Sequence, residues 1–118
     1  MAAAPHPEVA EVQALAPRAP RMRVIVERTA EAFGVRAVDL LRDRRRPKFT
    51  HPRHAAMALC RELTGHSLPR IGQAMGRDHT TVLNALHRHQ ERLADPAYAA
   101  RITALRERLT QESTHHDT

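Results

Sequence analysis

Three of the four glycines in this sequence stand directly behind segments whose apolar residues recur every three or four positions. That placement constrains the fold more than any other feature, because a glycine after such a run marks a helix C-terminus that turns through a left-handed residue. Gly34 follows Val24, Ile25, Arg28, Thr29, Ala32 and Phe33; Gly65 follows Ala55, Ala56, Leu59, Cys60 and Leu63; Gly76 follows Ile71, Ala74 and Met75. Prolines mark the opposite ends: Pro52, Pro69 and Pro96 fall where a first helical turn accepts them, with Ser67 and Asp95 as caps. Residues 37–42, with Val38, Leu40 and Leu41, read as a short helix. From Asp78 or His79 to about Leu93, Val82, Ala85, Leu86 and His89 keep the same rhythm, and Tyr98, Ile102, Leu105 and Leu109 form the stripe of a last helix. The chain is predicted to be all-α, with six helices and no strands. An aromatic content of 3% with no Trp agrees, since sheets draw on aromatic and β-branched residues.

A length of 118 residues suits one domain. Residues 1–20 hold four prolines and few large apolar side chains, so they are expected to form a disordered Ala/Pro-rich arm. The folded unit is placed at 21–111 and a frayed polar tail at 112–118. Cys60 is the single cysteine and falls on an apolar face, so it is expected in the core. The first 25 residues lack the apolar run of a signal peptide, and no stretch approaches a membrane span, which points to a cytoplasmic protein. Gly-Lys-Ser and Gly-Lys-Thr are both missing, which argues against a nucleotide-driven motor.

Charge is unevenly spread. Lys and Arg number 19 against 13 Asp and Glu, a net +6, and residues 36–54 hold seven basic residues against Asp39 and Asp43, a surplus of five. An isolated arginine run is most simply a solvated loop. This one precedes a helix and lies near a short-helix, Gly-turn, longer-helix unit, the outline of a helix-turn-helix DNA reader. The second helix of such a unit needs short polar side chains at its N-terminal end to meet base edges, and Asp78, His79, Thr80 and Thr81 supply them. Spacing alone fits equally well with Asp78 as a simple cap and the threonines as ordinary surface residues.

The run Arg77-Asp78-His79-Thr80-Thr81-Val82, preceded by Glu62-Leu63-Thr64-Gly65-His66-Ser67-Leu68-Pro69-Arg70-Ile71-Gly72, resembles the C-terminal DNA-binding domain of the bacterial replication initiator DnaA. The likeness extends from about Val24 to Leu109. It implies sequence-specific binding of double-stranded DNA at DnaA boxes, with Arg45 in the minor groove and Asp78, His79, Thr80 and Thr81 in the major groove. Leu68 and Pro69 would meet thymine methyls. Arg53, His54, Arg61 and Arg77, with Arg44 and Lys48 of the basic loop, would contact phosphates and position the duplex without specifying sequence.

Two departures stand out. The family usually carries two glycines before Arg-Asp-His-Thr-Thr, whereas only Gly76 separates Met75 from Arg77 here, which shortens the turn by one residue. The basic loop reads Arg46-Pro47-Lys48-Phe49 where small or hydroxyl residues are common, and Pro47 should stiffen it. The 118 residues do not include the family's ATPase or N-terminal interaction domains, so the resemblance implies neither ATPase activity nor origin melting. It implies regulation of replication initiation or of transcription from the nucleoid, including competition with the full-length initiator for its boxes.

Other chemistries are weaker. The nine histidines offer His51/His54, His87/His89 and His115/His116 as metal pairs, but residues two apart on a helix face different ways, and the sole cysteine is expected inside. The Ser67–His66 neighbourhood is explained by helix capping, so neither catalysis nor a cofactor is expected. The competing reading is an interaction module that binds a protein or an acidic membrane surface through its basic face and holds DNA only unspecifically. Such a module would have no use for the Asp78-to-Thr81 set. DnaA boxes are not palindromes, so a monomer suffices.

Overall fold

The computed structural model describes residues 19–42 and 44–115. Six helices follow one another: α1 (Met22–Ala32), α2 (Ala37–Leu41), α3 (Pro47–Thr64), α4 (Leu68–Met75), α5 (His79–Arg92) and α6 (Pro96–His115), and there is no strand among the described residues. All but the last two residues of the expected N-terminal arm lie outside the described residues.

α3 is the axis of the core. Ala55, Ala56, Met57, Leu59 and Cys60 are all fully or almost fully buried on it, so α3 is covered on most sides, by α1, α2, α4 and α5. Ile25, Val26 and Ala30 of α1, Leu40 of α2, Ile71 and Met75 of α4, and Val82 and Ala85 of α5 close around it. Burial pushes the Cys60 thiol up to about 12, so it stays an inert apolar group, as its position on the stripe led us to expect.

α6 lies along α1. Tyr98, Ile102, Leu105 and Leu109 are its buried stripe, as the sequence predicts. Tyr98 Oη meets His89 Nδ1 at 2.7 Å, and its ring lies 6.0 Å from that of Phe33. Further along, Arg28 Nε reaches both Glu112 carboxylate oxygens at 3.0 and 3.1 Å, while Arg108 bridges Glu31 at 3.3 Å and Glu112 at 3.0 Å. Glu112 was expected in the frayed tail. These pairs carry α6 on through residue 115 instead, beyond the boundary expected after residue 111.

Several expectations shift in detail. α3 begins at Pro47, not at Pro52, so Pro47 and Lys48 are its first turn rather than loop, and Pro52 sits inside the helix. Proline at N1 costs nothing there, because that N–H has no helical partner in any case. On α1 the buried face is turned toward Val26 and Ala30, and Ala74, expected inside α4, is exposed. Arg53, expected to face outward, is buried.

The α4–α5 connection is a tight three-residue turn. Ser67 caps α4 by accepting the Arg70 amide at 3.2 Å, and Gly76 ends it at φ 69°, its own amide bonding the Gly72 carbonyl. The Arg77 amide bonds that same carbonyl at 2.8 Å. Gly72 is packed so closely that a Cβ built on it would lie 2.2 Å from the Arg77 carbonyl oxygen. Its lack of a side chain is what lets the turn fold back onto α4. Gly72→Ala should therefore destabilise the fold by about 3 kcal/mol or more, since only backbone movement relieves the clash. Gly76→Ala, which adds only left-handed strain in open space, should cost about 1–2 kcal/mol. Urea unfolding of the two variants ranks them, and equal costs would contradict the packing argument.

Candidate nucleic-acid interface

The N-terminal end of α5 presents four consecutive exposed residues, Asp78, His79, Thr80 and Thr81, and the next, Val82, is fully buried. Val82 anchors the helix end while the four before it project from the surface. Asp78 is the N-cap: its Oδ1 accepts the Thr81 amide at 2.8 Å. That amide, followed by the Thr81 hydroxyl, holds the Asp78 carboxyl below its ordinary range, so it is ionised. Capping does not remove it from the surface, so it is both cap and exposed acceptor. Leu68 and Pro69, at the N-terminus of α4, are half-buried and exposed respectively.

The basic segment leaves the end of α2. Arg44, Arg45, Arg46 and Lys48 are all exposed, but they are not equivalent. Arg44 Nε pairs with Asp39 Oδ1 at 3.2 Å, and its guanidinium lies 5.1 Å from the centre of the Phe49 ring. Lys48 Nζ lies 5.7 Å from the same ring. Asp39, itself buried, also takes Arg36 at 3.2 Å, and that hydrogen bond is the main cause of its lowered carboxyl pKa. Asp39 and Phe49 thus brace both ends of the segment, with Arg45 and Arg46 between them.

The residues expected at phosphates divide more sharply. Arg53 donates from Nε to the Leu40 carbonyl at 2.8 Å and from Nη2 to the Arg42 carbonyl at 2.8 Å, so its charge is turned onto the C-terminal carbonyls of α2 and not outward. This is the favourable end of a helix for a cation. Arg53 shares a face with the buried Ala56 and Cys60 at spacings of three and four. His54 is half-buried, and its Nδ1 is enclosed without a hydrogen bond. Desolvation, then the nearby Arg92, lowers its pKa to about 4, so it is neutral at pH 7. Arg61 is exposed and donates to the His66 carbonyl at 2.7 Å, bracing the α3–α4 connection. Arg77 is half-buried, and its Nη2 donates to the Arg42 carbonyl at 2.7 Å.

Through the hydrogen bonds of Arg77 to the end of α2, the root of the basic segment and the exposed end of α5 share one neighbourhood. A family model described as the bacterial DnaA protein helix-turn-helix matches residues 22–88, more than half of the chain. The protein belongs to the bacterial DnaA helix-turn-helix family. Membership implies DNA binding, and the match covers α1 to most of α5, with α4 and α5 as the DnaA helix-turn-helix pair. The non-catalytic character of this DnaA domain fits the interface, which is built of caps and cations.

Elsewhere, no three His, Cys, Asp or Glu side chains gather at metal-binding distance among the described residues, and no described helix is long and apolar enough to cross a membrane. His89 faces inward to Tyr98, while His87 is exposed, so that pair diverges as its spacing requires. Gly72 is the residue that sequence reasoning passed over. An isolated glycine inside a helical pattern was the available signal.

Two outcomes follow. Arg53→Ala should cost about 2–4 kcal/mol, because it leaves buried helix-end carbonyls without donors, whereas Arg45→Ala should change stability by less than about 0.5 kcal/mol. Thermal melts distinguish them. An unfolded histidine titrates near 6.5, so between pH 6.5 and about 4 the unfolded state takes up a proton that folded His54 refuses. Stability is then full above pH 6.5 and falls as the pH drops toward 4, by about 2–3 kcal/mol from His54. His51 and His89, also lowered by burial, add in the same direction. Tm measured from pH 7.5 to 4.5 should fall less steeply in His54→Gln than in the natural sequence.

Proposed function

We propose that the protein reads double-stranded DNA sequence-specifically at DnaA-box-like sites. The observation that carries this reading is the set of four polar side chains, Asp78, His79, Thr80 and Thr81, exposed together at the end of a helix whose next residue is locked in the core. In the major groove Asp78 accepts from a cytosine amino group, His79 donates or accepts, and the threonines offer a hydroxyl and a methyl that meets thymine. Leu68 and Pro69 add apolar contacts to thymine methyls. Arg45 enters the minor groove, where guanidinium suits the negative potential of a narrow A·T-rich segment. Arg44, Lys48 and Arg61 contact phosphates.

Such a protein works on the nucleoid, as a monomer on a non-palindromic site and without ATP hydrolysis. It regulates replication initiation, or transcription at the same sites, by occupying boxes that the full-length initiator also recognises. Titration against a duplex holding one DnaA box, and against a scrambled duplex of equal composition, tests the reading at several salt concentrations. We expect both to show a salt slope and the box to bind about 10³-fold more tightly. His79→Ala should remove most of that preference and leave salt-dependent binding intact. Equal binding of box and scramble by the natural sequence would overturn sequence-specific reading in favour of a basic interaction module.

A further inference from the structure

The side chain of Arg77 spans two parts of the interface that are far apart in the chain. Its backbone is fixed from one side: the amide bonds the Gly72 carbonyl at 2.8 Å, and its own carbonyl packs against Gly72 where no Cβ could stand. Its guanidinium reaches the end of α2, with Nη2 on the Arg42 carbonyl at 2.7 Å and Nη1 near the Leu41 carbonyl at 3.4 Å. The Arg42 carbonyl also accepts Arg53 Nη2 at 2.8 Å and the Arg44 amide at 2.9 Å. The peptide from which the basic segment departs is therefore gripped by α3 and by the α4–α5 turn at once. The residue after Arg77 is Asp78, the first of the exposed set.

We infer that Arg77 is a positioning residue that fixes the root of the basic segment relative to the base-facing end of α5, so that the two grooves of a duplex are engaged in one set register. This assignment replaces the phosphate contact that the resemblance implied for it, and its consequence for specificity rests on the function proposed above. The geometry explains why arginine is needed. A planar guanidinium offers several donors in a fixed fork and bridges neighbouring carbonyls, whereas a lysine ammonium keeps the charge without the fork. A phosphate contact is largely satisfied by either cation. A carbonyl bridge is not.

The test compares the natural sequence with Arg77→Lys and Arg77→Ala, each first checked for folding by its thermal melt. Spin labels on Arg46→Cys and Asn84→Cys report the distance from the basic segment to α5 without DNA, and the buried Cys60 does not compete for label. We expect both variants to broaden that distance distribution about twofold, with lysine no better than alanine. With DNA, Arg77→Lys should lower the box-over-scramble ratio about tenfold while the salt slope on scrambled DNA stays within about 0.3 of the natural value. Its effect should also fail to add to that of Arg45→Ala, with the double variant within about threefold of the weaker single one.

An unchanged distance distribution in both variants would overturn the assignment. So would a salt slope reduced by about one in Arg77→Ala with full rescue by lysine, the signature of a phosphate contact. Should the natural sequence fail to prefer the box, the base-reading function fails, and the spin-label distances still decide whether Arg77 holds the segment. Should Arg77→Ala not fold, Arg77→Lys carries both measurements.

Discussion

The fold turns on two backbones that meet without a side chain between them, at Gly72 and Arg77. Because α4 and the turn touch there, one left-handed residue, Gly76, is enough to reverse the chain within three residues. Bringing Arg77 against α4 also aims its side chain at the end of α2. A short helix such as α2 has little hydrogen bonding of its own, with five residues and most of its carbonyls outside any helical pairing. It holds its shape because Arg53 and Arg77 supply donors from elsewhere.

Cation chemistry in this protein is accordingly of two kinds. Some guanidinium groups organise the fold from within, as Arg53 does at 6% exposure, and others remain at the surface, as Arg45 and Arg46 do. Net charge and sequence clustering do not separate them. The run from Arg36 to Arg53 looks like one basic patch in the sequence, yet its members are divided among Asp39, the α2 carbonyls, the Phe49 ring and the solvent. The field at the surface is set by fewer charges than the composition suggests, and those few are held at defined positions.

What was legible followed from punctuation and period. Gly34, Gly65 and Gly76 each take a left-handed φ near 70°, Ser67 and Asp78 cap the helices they were expected to precede, and the stripe of α6 is buried as its spacing requires. The errors share one cause, which is that local rules do not see neighbours. Pro52 looked like a helix start, but Pro47 five residues earlier occupies the same kind of position and begins the helix first. Arg53 looked like surface, but the carbonyls that bury it belong to a helix eleven or more residues away. Gly72 drew no reading of its own, and only the approach of another backbone reveals its function. The candidate site was legible where it consists of exposed side chains on one turn of helix, Asp78 to Thr81, and illegible where it depends on what holds that turn in place.

The family match stops at residue 88, but the apolar cover does not. Tyr98, Ile102, Leu105 and Leu109 shield α1, and the His89–Tyr98 hydrogen bond, which ties the last turn of α5 to α6, lies wholly beyond the match. A chain cut there would leave the aliphatic side of α1 facing water and would remove the last turn of α5 together with its tie to α6. The unit of recognition and the unit of folding are thus different lengths of the same polypeptide. The α5 helix presents its far end from a near end that α6 clasps through the His89–Tyr98 bond.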